Sequence, residues 1–152
     1  MAAGLTIEPA KLDTFRARLN EIARRTLKSD ELQSPLRLDA EVTLSELSLD
    51  LLTELDQLKP AGMGNPSPQF FARNIAHHRP LQRMGSEKQH VKLWVTDGRA
   101  THDCVWWNAG KDSLPVGRFD LAFAPQVNEF NGRRALQLKV LDWRPTAAPV
   151  LV

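Results

Sequence analysis

Ten residues near the middle of the chain, 59–68, constrain its fold more than any other stretch. They contain three prolines and two glycines, a composition that neither a helix interior nor a central strand accommodates. The sequence before this stretch favours helices, and the sequence after it favours short strands separated by turns. We therefore predict a helical lead-in at 1–60, a linker at 61–68, a strand-rich domain at 69–145 and a tail at 146–152.

Two amphipathic helices are predicted in the lead-in. Leu12, Phe15, Leu19 and Ile22 recur at spacings of three or four residues within 9–28, and Pro9 suits a first helical turn. A second pattern, rich in leucine, covers 48–58. Between the two helices, apolar and charged residues alternate at 36–42, which predicts a short strand.

The second part of the chain has the pattern of five strands. The apolar runs lie at 69–78, 90–96, 100–107, 119–130 and 135–143, and Asp97-Gly98 and Asn131-Gly132 are strong hairpin signals. The predicted fold class is therefore α+β: two helices and a short strand, followed by a five-stranded OB-fold-like antiparallel β-barrel. A small SH3-like barrel or an open antiparallel sheet fits the same pattern.

Charge is distributed unevenly between the two parts. Residues 1–60 contain 8 Lys/Arg and 11 Asp/Glu, a net charge of −3, whereas residues 61–152 contain 12 Lys/Arg and 7 Asp/Glu, a net charge of +5. Such segregation suggests that the basic part faces a polyanion. The alternative is ordinary scatter of charge along the chain.

The residues that usually carry hydrolytic chemistry are missing. His77 and His78 are neighbours on a predicted strand, so they point to opposite faces and cannot hold one ion together. Asp97, His102 and Asp103 cluster at a predicted hairpin, where turn formation accounts for the acidic residues. Because the sequence has no Cys-x-x-Cys or His-Glu-x-x-His pattern, we predict no catalytic residue and no metal site in this chain.

Cellular location is indicated by the single cysteine and the hydropathy pattern. Cys104 cannot form an internal disulfide, lies on a predicted strand without an activating base, and is expected to be a packing residue. No apolar run approaches the roughly 18 residues that cross a bilayer, and the first residues lack the features of a signal peptide. We therefore expect a cytoplasmic protein with no membrane contact.

A nucleic-acid-binding surface is predicted on the second and third strands. Lys92 and Trp94 alternate with the apolar residues of the second strand, and Trp106 is expected on the same side of the third, with Val105 and Trp107 facing the core. Aromatic faces beside cations are what single-stranded nucleic acid requires. The flanking loops, at 81–89 and 131–134, add further basic residues. The alternatives are that the tryptophans pack internally and that the basic loops are solvated turns.

Several short runs resemble one known family. Each of these runs is a modest motif by itself. They are 2–7 (Ala-Ala-Gly-Leu-Thr-Ile), 59–68 (Lys-Pro-Ala-Gly-Met-Gly-Asn-Pro-Ser-Pro), 90–93 (His-Val-Lys-Leu), 128–132 (Asn-Glu-Phe-Asn-Gly) and 136–138 (Leu-Gln-Leu). In this order and spacing they resemble the C-terminal part of the RecJ family of single-stranded-DNA-specific exonucleases. The resemblance extends from Ala2 to Pro145.

The resemblance implies a division of labour within a larger enzyme. In that family a DHH domain and a DHH-associated domain hydrolyse DNA from 5′ to 3′ with manganese or magnesium, and an OB-fold holds the strand. Residues 1–60 would be the tail of the DHH-associated domain. The family's Asp-His-His and Gly-Gly-His motifs have no counterpart here, and Met1 stands where the second would precede Ala2. We therefore expect a cloned or natural fragment that is not an enzyme by itself, holds no cofactor, and partners single-stranded DNA and the missing N-terminal catalytic domains.

The predicted nucleic-acid-binding residues combine the strand pattern, the basic loops and the positions that match the family. The matching positions are His90, Lys92 and Asn128, whereas Trp94 and Trp106 stand where the family more often has smaller residues. The competing hypothesis is a clamp between domains or protein partners, with no direct DNA contact. The full predicted set is Arg79, Arg83, Lys88, His90, Lys92, Trp94, Trp106, Asn128, Arg133 and Arg134.

Overall fold

The computed structural model describes residues 4–28, 35–62, 64–109 and 112–146. The chain separates into two compact units, Met1–Leu36 and Arg37–Val152. The first unit contains helix α1, Leu12–Thr26, after a 3₁₀ turn at Pro9–Lys11. The second unit contains β1 (Ala40–Glu41), α2 (Leu49–Leu55), β2 (Phe70–His77), β3 (Gln82–Met84), β4 (His90–Thr96), β5 (Thr101–Trp106), β6 (Arg118–Phe130) and β7 (Arg133–Pro145).

Helix α1 forms where the apolar periodicity predicts it. Arg24 and Arg25 lie in its last turn, where positive charge complements the helix dipole. Across α1, which is described in full, no residue is buried, and Leu19 and Ile22 are 54% and 59% exposed. The apolar stripe of α1 is therefore largely open to solvent.

The strands of the second unit form one mixed sheet in the order β1-β2-β6-β7-β5-β4-β3. β2 also pairs with β4, which closes β2, β6, β7, β5 and β4 into a ring. The prediction of five antiparallel strands after the linker was wrong in two respects: this part of the described chain forms six strands, β2 to β7, and the β5–β7 pairing is parallel. The sequence pattern did not predict β3, because three residues are too few to show alternation. The direction of a strand relative to its neighbour depends on the path of the connecting chain, and the alternation of residues carries no information about that path.

The core lies inside this ring. Val91, Leu93 and Val95 of β4 are completely buried, and they alternate with more polar positions as a strand with one face inward requires. Phe119 and Phe123 of β6 are the largest fully buried side chains among the described residues, and they belong to the same cluster. Burial of this set contributes roughly 1.5–3 kcal/mol per large side chain, so the ring is the stable scaffold for the surface described below.

Residues 43–47 close one end of the ring. Leu44 is 0% exposed and belongs to the core cluster. Its backbone is fixed from both sides, because its N–H donates to Asp97 Oδ2 (3.2 Å) and its carbonyl oxygen lies 2.7 Å from His102 Nε2. A capping box between Thr43 and Glu46 starts the local 3₁₀ turn. Asp97 and His102, which lie close together in the sequence, therefore anchor this segment.

The predicted lead-in elements differ from the observed ones in length. The two predicted helices are confirmed. The second is α2, which is followed by a 3₁₀ turn at Asp56–Leu58. Ser48 caps α2, because its side chain accepts a hydrogen bond from the Leu51 N–H (3.0 Å). The predicted strand at 36–42 is reduced to β1, which pairs with β2 over two residues. The domain limits predicted at 60 and 68 stay a prediction. No helix in the described part of the chain is long and apolar enough to cross a bilayer.

Candidate nucleic-acid interface

One face of the sheet points away from the core and runs without interruption over β4, β5, β7 and β6. Val91, Leu93 and Val95 face inward, so their neighbours on β4 face outward. Cα partners on adjacent strands share a face, which extends the set across the sheet. We call the following side chains the outer face: His90, Lys92, Trp94, Asp103, Val105, Gln126, Asn128, Phe130, Arg133, Gln137 and Lys139.

Trp94 serves as a support for two cations. The His78 N–H donates to the Trp94 carbonyl oxygen (2.7 Å), which brings the next residue, Arg79, beside the indole. Arg79 Cζ lies 3.6 Å from the ring centroid, and Lys92 Nζ lies 5.1 Å from it and 2.9 Å from Asp103 Oδ2. Trp94 is 8% exposed. In this conformation the ring face carries Arg79 in place of a base, so the structure does not favour the predicted stacking role.

Trp106 and Trp107 face in the directions opposite to those predicted. Trp106 is the register partner of Val91 and packs against the core cluster, whereas Val105 is the partner of Lys92 and lies on the outer face. Trp107 follows the strand, is 47% exposed and contacts the His90 ring. The assignment failed because the register of the β4–β5 hairpin, with Thr96 opposite Thr101, sets the facing, and a shift of one residue exchanges the two faces.

The middle of the outer face carries paired amides. Gln126 Nε2 donates to Gln137 Oε1 (3.0 Å), and Gln137 is also the register partner of Asp103. Lys139 lies two residues further along β7, opposite Val105. Gln137 is buried, so the Gln126 amide and the exposed Lys139 ammonium are the groups of these two rows that can donate hydrogen bonds to a base edge or a phosphate.

The β6–β7 hairpin continues beyond the core as a two-stranded arm, residues 127–136. From Asn128 onward its β6 residues are exposed, as are the first three residues of β7. The turn at its tip has positive φ at Asn131 (51°) and Gly132 (72°), as a two-residue type I′ hairpin requires. Phe130 pairs with Arg133, and it is 70% exposed. Aromatic and basic side chains thus lie together at the end of the outer face.

The two predicted arginines of the arm point in opposite directions. Arg133 lies on the outer face with Phe130 and Asn128, whereas Arg134 pairs with Glu129 on the other side. Their separation follows from strand alternation. Arg134 lines a cleft of about 410 Å³ between the arm, the end of α2 and the segment that follows it. Apolar residues of this cleft include Leu52, Leu55, Pro66, Pro68, Pro125 and Val127.

The remaining predicted residues flank the outer face. Arg83 is the register partner of Val91, which places it on the opposite side of the sheet from Lys92. Lys88 ends an exposed turn, where its N–H donates to the Gly85 carbonyl oxygen (3.1 Å) and its φ is 55°. His90 Nδ1 accepts a hydrogen bond from the Asn108 N–H (3.1 Å). Of the predicted residues, the structure therefore brings six to one face: Arg79, His90, Lys92, Trp94, Asn128 and Arg133. It leaves four off that face: Arg83, Lys88, Trp106 and Arg134.

The ionisable groups with shifted pKa values have structural explanations. Partial burial raises the pKa of Asp97, but the N–H groups of Ala100, Arg99 and Leu44 together outweigh it and hold that pKa below the usual value. Asp120 behaves in the same way, because its desolvation is outweighed by hydrogen bonds that lower its pKa. Burial strongly raises the pKa of the Cys104 thiol. Among the described residues, no three His, Cys, Asp or Glu side chains lie together in a way that could hold a metal ion.

Comparison with known proteins identifies relatives over most of the chain. A family model described as the RecJ OB domain matches residues 38–142. The single-stranded-DNA-specific exonuclease RecJ of Bacillus subtilis is 30% identical over 145 residues, which cover 93% of this chain and 18% of that protein. The enzyme of the same name from Salmonella typhimurium is 30% identical over 150 residues, 95% of this chain and 25% of that protein. This chain therefore spans between 18% and 25% of the length of these relatives.

A solved structure has a similar fold. The crystal structure of RecJ from Thermus thermophilus in complex with Mn²⁺ aligns with a TM-score of 0.67 and 24% sequence identity. The alignment covers 95% of this chain and 21% of that one. At this identity the similarity concerns the fold alone.

Proposed function

Because this chain belongs to the family described as the RecJ OB domain, we propose that it is the single-stranded-DNA-binding portion of a RecJ-like 5′-to-3′ exonuclease. The proposed binding surface is the outer face, with Arg79 supported on Trp94. The single cysteine, which is buried and free, fits the cytoplasmic location that this function requires.

The observation that carries the proposal is the continuity of the outer face from β4 to the tip of the arm. Its cations, Arg79, Lys92, Lys139 and Arg133, are spread along this path, so they can track successive phosphates. The half-buried Gln126 amide, held by its hydrogen bond to the buried Gln137, lies between them and can offer a polar edge to a base. A path of alternating charge and amide groups is suited to an extended strand.

The proposal assigns hydrolysis to other parts of the parent enzyme. The similar Thermus thermophilus structures are complexes with Mn²⁺ and Mg²⁺. The described residues of this chain do not fit such an ion, since none of their acidic, histidine or cysteine side chains converge in threes. The metal and the catalytic residues would then belong to the DHH and DHH-associated domains, and this chain would hold the strand.

Three further basic residues are proposed to attract DNA without contacting it directly. Arg83, Lys88 and Arg134 lie off the outer face, and all three are exposed. Their contribution is expected to be long-range attraction of the polyanion, which salt weakens over about 10 Å. Direct phosphate contact is proposed for the four cations named above, and Lys92 would exchange its ion pair with Asp103 (2.9 Å) for the phosphate.

Oligonucleotide binding tests the proposal directly. A fluorescein-labelled oligothymidylate of roughly 16 nucleotides, titrated with the protein at low ionic strength, is expected to show a rise in anisotropy. With three or four phosphate contacts, the logarithm of the binding constant should fall with the logarithm of the salt concentration with a slope between about −2 and −3. Binding that is absent, or that does not respond to salt, would contradict the proposal.

A second candidate function is a clamp between domains of the parent enzyme, and α1 is the observation that favours it. Leu19 and Ile22 are more than half exposed, which is typical of a helix that packs against another part of a larger protein. Under this candidate, Leu19→Glu would weaken association with a separately produced N-terminal portion of a RecJ relative. Under this candidate, the unchanged chain would not bind the oligonucleotide either.

A further inference from the structure

We infer that Trp107 and Phe130 are two base-stacking positions at opposite ends of the outer face, so that the DNA strand crosses the sheet diagonally from the end of β5 to the tip of the arm. This inference rests on the proposed function and deepens it. Neither residue belongs to the predicted binding set, and Trp107 is predicted to face the core. Their positions, exposures and surroundings carry the argument.

Phe130 has the environment of a contact residue. It is 70% exposed and lies outside the core cluster, at the last position of β6. Its register partner, Arg133, lies on the same face of the arm, so a base stacked on the ring would have a cation close to its phosphate. The arm turn has the backbone of a well-defined hairpin, which holds the ring at a fixed place rather than on a loose loop.

Trp107 has a similar environment at the other end. It is 47% exposed, and its ring lies 4.7 Å from the His90 ring at an interplanar angle of 76°. His90 is itself held, because its Nδ1 accepts a hydrogen bond from the Asn108 N–H. The indole is therefore oriented by a fixed neighbour while much of its surface stays open. Trp94 cannot fill this role in the same conformation, since Arg79 covers its ring.

The distance between the two rings matches a stretch of single strand. Val105 is the partner of Lys139 in the parallel β5–β7 pair. Continuing this register by two residues would place Trp107 level with Leu141, eight residues along β7 from Arg133. At about 3.3 Å per residue, the two positions are about 26 Å apart along the strands. Stacked nucleotides rise about 3.4 Å each, so up to about eight fit between the rings, within the usual range of about 4 to 16 per OB-fold.

The groups between the two rings suit the middle of such a strand. Lys92 and Lys139 flank Val105 in one row. The next row towards the arm contains the Gln126–Gln137 amide pair and Asp103, whose carboxylate pairs with Lys92 (2.9 Å). Asn128 follows before Phe130 is reached. A strand stacked at both ends would thus pass over cations first and amides second.

Ring-removing substitutions test the inference. Phe130→Leu and Trp107→Leu each keep an apolar side chain but remove the flat ring, and each is expected to weaken binding of a labelled oligothymidylate of roughly 16 nucleotides by about 5- to 150-fold. The salt slope should not change, because no phosphate contact is lost. Phe130→Trp and Trp107→Phe should keep binding within about twofold of the unchanged protein. Val116→Ala is the control, since Val116 is apolar and 84% exposed but lies outside the outer face.

A scan with abasic oligonucleotides provides a second measurement that needs no change in the protein. Removing single bases in turn should weaken binding at two positions separated by up to about eight nucleotides. Phe130→Leu should abolish sensitivity at one position, and Trp107→Leu should abolish it at the other. Should the unchanged protein bind no oligonucleotide, the proposed function itself fails. Should it bind with normal salt dependence while both leucine variants and every abasic oligonucleotide bind equally well, only the stacking inference is overturned.

Discussion

Replacing Arg79 with alanine removes the cation that Trp94 supports, and the expected loss of DNA binding can be worked from the structure. The guanidinium lies 3.6 Å from the indole centroid, and no ion pair to a carboxylate is formed by Arg79 within the described ranges. Its charge is therefore available to a phosphate. Arg73→Ala provides a matched control, because it removes the same charge from an exposed arginine on β2 that pairs with Glu41 (3.1 Å).

The magnitude follows from the release of one counterion. For single-stranded DNA, each phosphate contact adds about 0.7 to the salt slope. One lost contact therefore weakens binding by about eightfold at about 50 mM salt and by about threefold at about 200 mM salt, a difference of about 2.6-fold between the two conditions. Arg73→Ala should change the affinity by far less and leave the slope unaltered, since its charge lies off the outer face.

Anisotropy titrations of a labelled oligothymidylate over this range of salt concentrations measure both quantities. Trp94→Phe keeps an aromatic ring beneath Arg79 and should retain most of the binding. Trp94→Leu should lower affinity by up to the cation–π energy of about 0.5–2 kcal/mol. The reasoning is refuted if Arg79→Ala leaves the slope unchanged, or if Arg73→Ala shifts the slope equally.

Three further outcomes are expected from the scaffold. Leu44→Ala should lower the free energy of unfolding by about 2–5 kcal/mol, because it leaves a cavity in the core. Chemical denaturation measures this loss. If the loss were no larger than that of Leu58→Ala, at an exposed leucine, Leu44 would not be a core residue. Asp97→Asn should cost about 1–3 kcal/mol near neutral pH through the lost acceptor for the Leu44 N–H. Folding lowers the pKa of Asp97, so the stability that its carboxylate provides is present above the unfolded pKa of 3.8 and disappears as pH falls through the lower folded pKa. The difference in unfolding free energy between the unchanged protein and Asp97→Asn should therefore become smaller in acid. A difference that becomes larger in acid would contradict this reasoning. Cys104 should resist iodoacetamide in the native protein at mildly alkaline pH and react in denaturant, since burial raises its pKa; rapid labelling of the native protein would show that the strand is not closed over it.

The helices and most strands could be predicted because their signals are local. The alternation of Val91, Leu93 and Val95 predicts β4 with its observed bounds, and Asn131-Gly132 predicts the turn of the arm. β3 could not be predicted in the same way, since it consists of three residues and exists through pairing with β4. The alternation at 36–42 predicted a longer strand than β1, because only two of its residues pair with β2.

The candidate interface shows the same limit more clearly. The sequence alone determined which residue types are available: cations, amides and tryptophans on a strand-rich, basic segment. Only the tertiary structure decided their facing. The β4–β5 register turned Trp106 inward and left Trp107 exposed, and the chain path after His78 placed Arg79 on Trp94. The pairing of β6 with β7 beyond the core separated Arg133 from Arg134 and exposed Phe130. Register and chain path depend on contacts between residues distant in sequence, and a one-residue shift in pairing reverses every side chain of a strand.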